Sequence, residues 1–413
     1  MKRVAFALVA TLVAMTVLAS CSAPSSSSSS SQGPIKIGFL YPITGVFAAP
    51  GQYMKEGLEL FLAQNHNELA GRKVQVIQAD THGDPATAVT QARRLVEQKD
   101  VDVLFGPLTA AEGSALMPFL SSQSVAAIYP IASTDDLTQK TISPYIARTG
   151  WSSSQTTHVL GDYAYKTLGY RKVATVAYDF SFGWESIGGF AQTFQDDGGS
   201  CLQQQWPPIG TPDYSPFITH LPRGLDAVMV SFSGSDSIHF FHQYADLGGS
   251  TPLIAQGNAT DESTLAQTGR SAVGTVTALH YSAALDTPAN KRFVSAYKAK
   301  FDHGPSYYAE GTYTAGAIFK AALDKLNGNI SDPKKLVETI HSVSVDAPRG
   351  PVSFDKYGNP VENVYIRKVQ MVDGELQNTV IKTYPHVSQF WHYDPAQYLK
   401  QPTYTRSFPG CKG

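Results

Sequence analysis

The stretch Ile35-Lys-Ile-Gly-Phe-Leu-Tyr41 is a short apolar run that begins a regular alternation of strand-like and helix-like segments. An amphipathic segment, 51–66, follows it, and residues 73–79 then alternate between apolar and polar as a strand does. The pair Asp84-Pro85 predicts a helix N-terminus, with Asp as the cap and Pro in the first turn. This order of elements predicts a parallel sheet covered by helices on both faces.

The alternation continues along the chain and then begins again. Further strands are expected at 101–105, 125–131, 172–178, 226–231 and 252–256, and helices are expected at 85–98, 184–194, 237–247 and within 288–342. Residues 350–384 have the pattern of strands broken by turns, and 385–413 form an aromatic, proline-rich tail expected on the surface. The sequence therefore predicts an α/β protein with two similar lobes and a boundary near 149–152.

Composition excludes several classes of protein. The chain has 413 residues, a formal net charge of −2 and 42% hydrophobic residues, so neither nucleic acid nor an anionic membrane surface is an expected partner. Beyond the N-terminal region about 380 residues remain, which suits two domains better than one.

The N-terminal region has the features of an export signal. Lys2 and Arg3 precede an apolar run, 6–18, that is too short to span a bilayer. Leu18-Ala-Ser-Cys21 resembles a bacterial lipobox, which predicts a signal peptide over 1–20 and lipid on Cys21. The serine-rich segment 21–33 would then be a flexible tether. The alternative is an ordinary secretory signal with an incidental cysteine, and both alternatives predict an exported protein.

Catalytic and metal-binding patterns are not evident in the sequence. There is no phosphate-binding loop ending in Lys-Ser/Thr and no Gly-x-Ser-x-Gly elbow. The acidic loop 80–84 is interpreted as a strand-to-helix connection, and His239 and His242 as surface residues rather than ligands. We therefore expect a protein that is not an enzyme and needs neither a metal nor a cofactor.

Three loops that follow strands of the first lobe point to a ligand site. Loops 42–51, 106–113 and 130–134 are rich in small residues and poor in Lys and Arg. In doubly wound sheets, ligands bind beyond the carboxyl ends of the strands. The second loop leads into a helix, whose N-terminus favours an anion, and Thr109 and Ser133 add hydroxyl donors. The alternative is that these loops are only tight turns.

These loops and several other motifs resemble periplasmic substrate-binding proteins of the branched-chain amino acid (Leu/Ile/Val-binding) type, which serve ABC importers. The resemblance extends from Ile35 to about Tyr384. The motifs are Pro42-x-Thr-Gly-x-x-Ala48, Asp84-Pro-x-x-Ala88, Phe105-Gly-Pro-Leu-Thr109, Ala132-Ser-Thr-x-x-Leu-Thr138, Tyr178-Asp-Phe-Ser-Phe-Gly183, Pro305-x-Tyr-Tyr-Ala309, Tyr313-x-Ala315 and Gly350-Pro-Val-Ser-Phe-Asp355. Each motif is weak alone, but their order and spacing are specific.

The resemblance implies two Rossmann-like lobes joined by three crossing strands, near Thr149, His280 and Asp346. Lobe 1 would comprise 34–149 and 281–345, and lobe 2 would comprise 150–280 and 346–384. The lobes would close on a small molecule by hinge motion. The protein would be a monomer, and Cys21 would hold it at the membrane beside its permease, facing the periplasm or the cell exterior.

The resemblance also implies where the ligand binds. The family's carboxylate-binding positions correspond to Thr109, Ala110 and Ala111, and to Ile131, Ala132 and Ser133. In the second lobe, an aromatic position corresponds to Phe182 and a tyrosine position to Ser233. The acid that pairs with the ligand ammonium corresponds to Gly257, beside Asn258.

Two positions depart from the family's pattern: Ala110 stands where the family has a hydroxyl, and Gly257 stands where it has the acid that pairs with the ligand ammonium. Because a buried ammonium without a partner costs several kcal/mol, we expect a small carboxylate without an amine. The aromatic loop 178–184, with Phe47 facing it across the cleft, favours an aromatic acid. A branched-chain or other amino acid is the alternative, with Asp179, Asp236 or Asp261 receiving the amine.

Two further predictions concern the cysteines and the competing functions. If Cys21 carries lipid, Cys201 and Cys411 remain as a pair, and we expect a disulfide that attaches the tail to lobe 2. The alternative is two free thiols. An enzyme or a sensor ectodomain on the same fold are the competing functions.

Overall fold

The computed structural model describes residues 33–411, so the predicted signal peptide, Cys21 and most of the serine-rich tether lie outside the described residues. Two β-sheets organise the described part of the chain. The strands are β1 (Ile35–Tyr41), β2 (Glu68–Leu69), β3 (Arg72–Asp80), β4 (Val103–Phe105), β5 (Ala126–Tyr129), β6 (Ile146–Arg148), β7 (Lys172–Ala177), β8 (Ser200–Gln205), β9 (Ala227–Ser231), β10 (Leu253–Gln256), β11 (Val276–Leu279), β12 (Val345–Ala347), β13 (Gly350–Phe354), β14 (Pro360–Val372) and β15 (Glu375–Val387).

The α-helices cover these sheets and connect their strands. They are α1 (Ala48–Gln64), α2 (Pro85–Lys99), α3 (Ala110–Gln123), α4 (Asp136–Gln139), α5 (Ser153–Lys166), α6 (Ser181–Asp196), α7 (Ser215–Thr219), α8 (Ser235–Asp246), α9 (Glu262–Thr268), α10 (Pro288–Phe301), α11 (Tyr307–Lys325), α12 (Pro333–His341) and α13 (Pro395–Tyr398). Among the described residues, none of these helices is long and apolar enough to cross a membrane.

The first sheet has the strand order β2-β3-β1-β4-β5-β6, and its strands are parallel except for the antiparallel pair β2–β3. Strand β1 lies in the middle, in register from Ile35 opposite Val74 to Tyr41 opposite Asp80. Its side chains are buried except for the half-buried Lys36, which explains its nearly continuous apolar sequence. The predicted cap of α2 is confirmed, because the Asp84 side chain accepts a hydrogen bond from the Thr87 amide at 2.7 Å.

The second sheet has the order β12-β13-β14-β11-β10-β9-β7-β8, and β15 pairs with β14. Strands β7 to β11 pair in parallel, whereas the pairs that involve β12 to β15 are antiparallel. The sheet is therefore a parallel half extended by antiparallel strands. The mostly parallel α/β fold with two lobes predicted from the sequence is confirmed.

The chain passes between the two sheets three times: after β6, after β11 and before β12. Between the last two crossings, α11 packs on α1, and α12 packs near β5 and β6. These helices therefore lie beside the first sheet although they follow the second in the sequence.

The C-terminal segment differs from the tail that the sequence predicts. Strand β15 continues to Val387, so 385–387 belong to the sheet. Beyond it, Phe390, Tyr398 and Tyr404 are buried in an aromatic cluster of their own. The tail is therefore a packed element, because its aromatic residues supply the apolar area that an irregular backbone needs for docking.

The tail makes contact with elements beside both sheets. Thr138 in α4 donates to the Gln389 side chain at 2.8 Å, whereas His158 in α5 lies 3.2 Å from the Tyr398 hydroxyl. Burial lowers the pKa of His158 to about 3, so this imidazole is neutral. A disulfide between Cys201 in β8 and Cys411 closes the segment, as predicted.

Candidate functional site

A small cavity lies where the carboxyl ends of the strands of both sheets face each other. The space between its walls, including the part open to solvent, is about 330 Å³. The walls come from loops after β1, β4, β5, β6, β7, β9 and β10 and from the start of α11. The lining residues are Phe47, Leu108, Thr109, Ala110, Ile131, Ser133, Trp151, Tyr178, Phe180, Phe182, Ser233, Asn258, Tyr307 and Tyr308. Convergence of strand ends is the usual position of a ligand site in open α/β sheets.

The two lobes touch over this cavity. The Ser235 amide, at the start of α8, donates to the Val46 carbonyl in the loop after β1 at 3.2 Å. The rings of Phe47 and Tyr178 meet edge to face with their centroids 6.3 Å apart. The structure is therefore a closed arrangement in which a ligand would be surrounded on most sides.

The N-terminus of α3 forms the first wall and suits an anion. Thr109 caps the helix in a reciprocal box: its hydroxyl accepts from the Glu112 amide at 3.1 Å, and its own amide donates to the Glu112 carboxylate at 2.7 Å. The amides of Ala110 and Ala111 lie in the first turn, where no acceptor exists within the helix. Together with the helix dipole, these N–H groups favour a carboxylate.

The loop after β5 adds a hydroxyl to the same wall. Ser133 Oγ lies 2.9 Å from Ser153 Oγ, and the Ser133 carbonyl accepts from the Ser153 amide at 2.8 Å. These bonds attach the loop to the start of α5. The Ser133 side chain is thereby held at the cavity wall in a fixed position.

Aromatic side chains form most of the remaining wall. Phe180 lies between Tyr178 and Phe182, with ring centroids 5.4 Å and 6.1 Å away. Trp151 meets Phe182 and Tyr307 edge to face at 6.3 Å and 6.4 Å. Such a surface suits an apolar ring, since offset and edge-to-face contacts add about 0.5–1.5 kcal/mol per pair beyond area burial.

A neutral polar group closes the end of the cavity at the second sheet. Ser233 Oγ lies 2.5 Å from the Tyr308 hydroxyl, and Asn258 Nδ2 donates to the Tyr307 hydroxyl at 2.5 Å. The Tyr178 hydroxyl donates to the Ser233 carbonyl at 2.8 Å. Because Tyr307 and Tyr308 begin α11 while Ser233 and Asn258 follow strands of the second sheet, these bonds join the two lobes.

None of the lining residues carries a formal charge. The three acids considered as amine partners are engaged elsewhere. Asp179 pairs with Arg406 at 3.2 Å, Asp236 accepts from the Gly210 amide at 2.8 Å, and Asp261 accepts from the amides of Ser263 and Tyr307. Burial, with a smaller effect of the Glu262 carboxylate, raises the pKa of Asp261 to about 7.

The cavity brings together most of the residues that the sequence predicts for the site. Phe47, Thr109, Ala110, Ile131, Ser133, Phe182, Ser233 and Asn258 line it, whereas Ala111, Ala132 and Gly257 do not. Ala132 is fully buried in the core beneath α3. Gly257 contributes its carbonyl to Arg367, which donates at 2.7 Å, and a side chain there would collide with Leu279.

Leu108, Trp151, Tyr178, Phe180, Tyr307 and Tyr308 also line the cavity and were not predicted as site residues. Tyr178 and Phe180 belong to the aromatic loop 178–184, so the sequence already indicates that they lie near the ligand. Tyr307 and Tyr308 come from a helix that is distant in sequence, and only a Tyr-Tyr pair after the Ser306 cap marks them. Within residues 33–411, no cluster of His, Cys, Asp or Glu is placed to hold a metal ion.

Comparison with known proteins adds independent evidence. The family model described as periplasmic binding protein matches residues 34–375. The Leu/Ile/Val-binding protein homolog 6 of Brucella melitensis is 29% identical over 360 residues, 85% of this chain and 91% of that protein.

Two solved structures from Rhodopseudomonas palustris are also similar. One is an ABC-transporter solute-binding protein of strain BisB5 in complex with 3,4-dihydroxybenzoic acid, with 31% identity, a TM-score of 0.82 and coverage of 86% of this chain and 98% of that one. The other is a solute-binding protein in complex with benzoate, with 26% identity, a TM-score of 0.82 and the same coverage. The chain therefore belongs to the periplasmic binding protein family, as a type I member of the kind that binds solutes for ABC transporters.

Proposed function

We propose that this protein captures a small aromatic carboxylate in the interlobe cavity and delivers it to the permease of an ABC importer. The observation that carries the proposal is the combination of a helix N-terminus, aromatic walls and no charged lining residue. The carboxylate would accept hydrogen bonds from the amide of Ala110 and from the hydroxyls of Thr109 and Ser133, which all line the cavity. The ring would lie against Phe47, Tyr178, Phe180 and Phe182. The two similar Rhodopseudomonas palustris proteins are in complex with ligands of this class.

The absence of an acid from the cavity wall disfavours an amine on the ligand. An ammonium placed there would be desolvated without a counter-ion, at a cost of several kcal/mol. Asp261 follows Asn258 by three residues, but its carboxyl group already accepts hydrogen bonds from two amides, and burial raises its pKa to about 7.

A branched-chain amino acid is the second candidate. It is favoured by the 29% identity to a protein named as a Leu/Ile/Val-binding homolog. The apolar wall would accept an aliphatic side chain, and Asn258 would have to receive the ammonium.

A thermal-shift screen of the mature protein separates the two candidates. The panel contains benzoate, 3- and 4-hydroxybenzoate, phenylpropenoic acids, and leucine, isoleucine and valine. A ligand at 100 times its dissociation constant stabilises the fold by about 2.7 kcal/mol, which is a clear upward shift of Tm. Stabilisation by an aliphatic amino acid, with no response to any amine-free aromatic acid, would refute the proposal.

The domain arrangement and the anchor complete the proposal. Lobe 1 (34–149 and 281–345) and lobe 2 (150–280 and 346–384) would open and close around the cavity as rigid bodies. The exported monomer would be held at the membrane by lipid on Cys21, with the serine tether allowing it to reach the permease. Membrane fractionation of Cys21→Ala tests the anchor, since recovery of the variant in membranes at the wild-type level contradicts it.

A further inference from the structure

Two buried polar atoms in the cavity wall have no hydrogen-bond partner among the described residues: Trp151 Nε1 and Asn258 Oδ1. Trp151 is 1% exposed and Asn258 is 6% exposed, and both line the cavity. An unpaired buried polar group costs about 1–3 kcal/mol, so native proteins rarely keep one without a reason. At the wall of a ligand cavity, a polar group of the ligand can supply the missing partner.

The two atoms are opposite in character. The indole N–H of Trp151 can only donate, and the amide oxygen of Asn258 can only accept. A carboxylate supplies acceptors for Trp151 and for the α3 amides, but it offers no donor to Asn258. The ligand therefore needs a second polar group that donates a hydrogen bond.

The neighbours of Asn258 leave only its amide oxygen open. Its Nδ2 donates to the Tyr307 hydroxyl at 2.5 Å and lies 3.5 Å from the Tyr308 hydroxyl. Tyr308 is paired in turn with Ser233 Oγ at 2.5 Å. The polar side chains at this end thus satisfy one another, and Asn258 Oδ1 is the acceptor that remains for a ligand.

The position of Asn258 indicates where on the ligand this donor lies. Asn258 follows β10 of the second sheet, whereas Ala110 and Ala111 begin α3 beside the first sheet. The carboxylate would therefore lie on the side of the first sheet, and the donor would lie on the side of the second. A neutral donor fits better than an ammonium, because the lining residues include no carboxylate.

We infer that the aromatic acid bound by this protein carries a ring hydroxyl at the end away from its carboxylate, and that Asn258 Oδ1 accepts the hydrogen bond from it. The inference rests on the proposed function and adds the residue that distinguishes hydroxylated from unsubstituted acids. A site built to pair with a hydroxyl rejects the analogue that lacks it, because its own polar atom is then left unpaired.

Isothermal titration with benzoate, 4-fluorobenzoate, and 3- and 4-hydroxybenzoate tests the inference on the wild-type protein. Fluorine replaces the hydroxyl at similar size but donates no hydrogen bond. We expect one of the hydroxybenzoates to bind at least about tenfold more tightly than benzoate or 4-fluorobenzoate. Equal affinities for all four acids would overturn the inference and leave the proposed function intact.

The variant Asn258→Leu tests the residue, because leucine has a similar volume and no amide. The affinity for the hydroxybenzoate should fall at least about tenfold more than the affinity for benzoate. An equal loss for both acids would mean that Asn258 only supports the fold. If Asn258→Leu does not fold, Asn258→Ala gives the same selectivity test, because alanine also lacks a polar atom in its side chain. Failure of every aromatic acid to bind the wild-type protein would instead refute the proposed function.

Discussion

The ligand cavity and the cluster of ionisable residues at the crossings between the lobes differ in the kind of polar side chain that they contain. The cavity is lined by neutral groups alone, whereas the hinge cluster (Arg349, Glu310 and Glu362) consists of fully buried ionisable side chains. Arg349 contacts Glu310 at 3.3 Å and Glu362 at 3.1 Å, and it donates to the Thr149 carbonyl at 3.1 Å. Glu310 belongs to α11 and Glu362 to β14, so one guanidinium joins segments from both lobes.

The comparison shows where a binding protein can use full charges. Burying an ion pair costs desolvation energy, but removing one partner afterwards costs more, because the other charge is left buried and unpaired. Such pairs therefore suit permanent contacts within the protein. Burial raises the pKa of Glu362 to about 8 in spite of the adjacent Arg349. A ligand must leave the cavity, and neutral donors with a helix N-terminus hold an anion without a fixed counter-charge.

The largest expected effect comes from removing the cation of the hinge cluster. Arg349→Met would leave Glu310 and Glu362 buried without a partner and should lower the free energy of unfolding by about 3–5 kcal/mol at pH 8. The loss should be smaller at pH 5, because carboxylates with raised pKa take up protons and then need no cation. Denaturant unfolding at both pH values measures it.

The matched control is Arg93→Met, which removes a similar ion pair from the surface. Arg93 lies 2.6 Å from Glu97, but their side chains are 55% and 38% exposed. This variant should cost less than about 1 kcal/mol. Similar losses of unfolding free energy in Arg349→Met and Arg93→Met would contradict the stabilising role that we assign to the buried hinge cluster.

A smaller effect is expected from Asp261, which lies next to the cavity without lining it. Its pKa is raised to about 7 by burial, so its contribution to stability is full below the unfolded value near 4 and is lost as pH rises through 7. The free energy of unfolding should therefore fall between pH 5 and pH 8. In Asp261→Asn, which cannot ionise, the fall should be at least about 1 kcal/mol smaller.

Asp84→Asn is the control for this pH dependence. Asp84 also caps a helix, but it is exposed and hydrogen bonds from Thr87 lower its pKa. It is ionised throughout the range from pH 5 to pH 8, so the variant should leave the slope unchanged. If Asp261→Asn also leaves the pH dependence of the unfolding free energy unchanged, that dependence does not come from Asp261.

The smallest effect concerns the anion wall of the cavity. Ala110→Pro removes one amide donor at the first position of α3, where proline is tolerated. Thr109 has φ −84° and ψ 151°, an extended conformation that a following proline accepts. The affinity for the carboxylate ligand should fall about tenfold, corresponding to about 1.4 kcal/mol, with little change in stability.

Ala110→Gly is the size control, because it keeps the amide and removes only the methyl group. Calorimetric titration should show nearly wild-type affinity for this variant. If Ala110→Gly and Ala110→Pro weaken binding equally, the amide is not the donor that we propose.

The wall of the cavity at the N-terminus of α3 was predictable from the sequence, whereas several aromatic residues of the remaining wall were not. Thr109, Ala110 and Ser133 follow strands whose apolar runs are evident, and helix capping is encoded within four residues. Trp151 follows β6 at the first crossing and Tyr307 begins α11, so two segments that are far apart in the chain both contribute to the cavity. Which residues of the tail would be buried could not be predicted, because its aromatic residues have no period from which packing could be inferred.

By itself, the sequence determined the alternation of strands and helices and the capping of α2, because each depends on local spacing and residue chemistry. The tertiary structure alone decided which polar atoms in the cavity remain unpaired. Tyr307 and Tyr308, about fifty residues later in the chain, contact the amide nitrogen of Asn258, and its Oδ1 has no hydrogen-bond partner among the described residues. Hydrogen-bond satisfaction depends on the whole surroundings of an atom, and folding brings those surroundings together from distant parts of the chain.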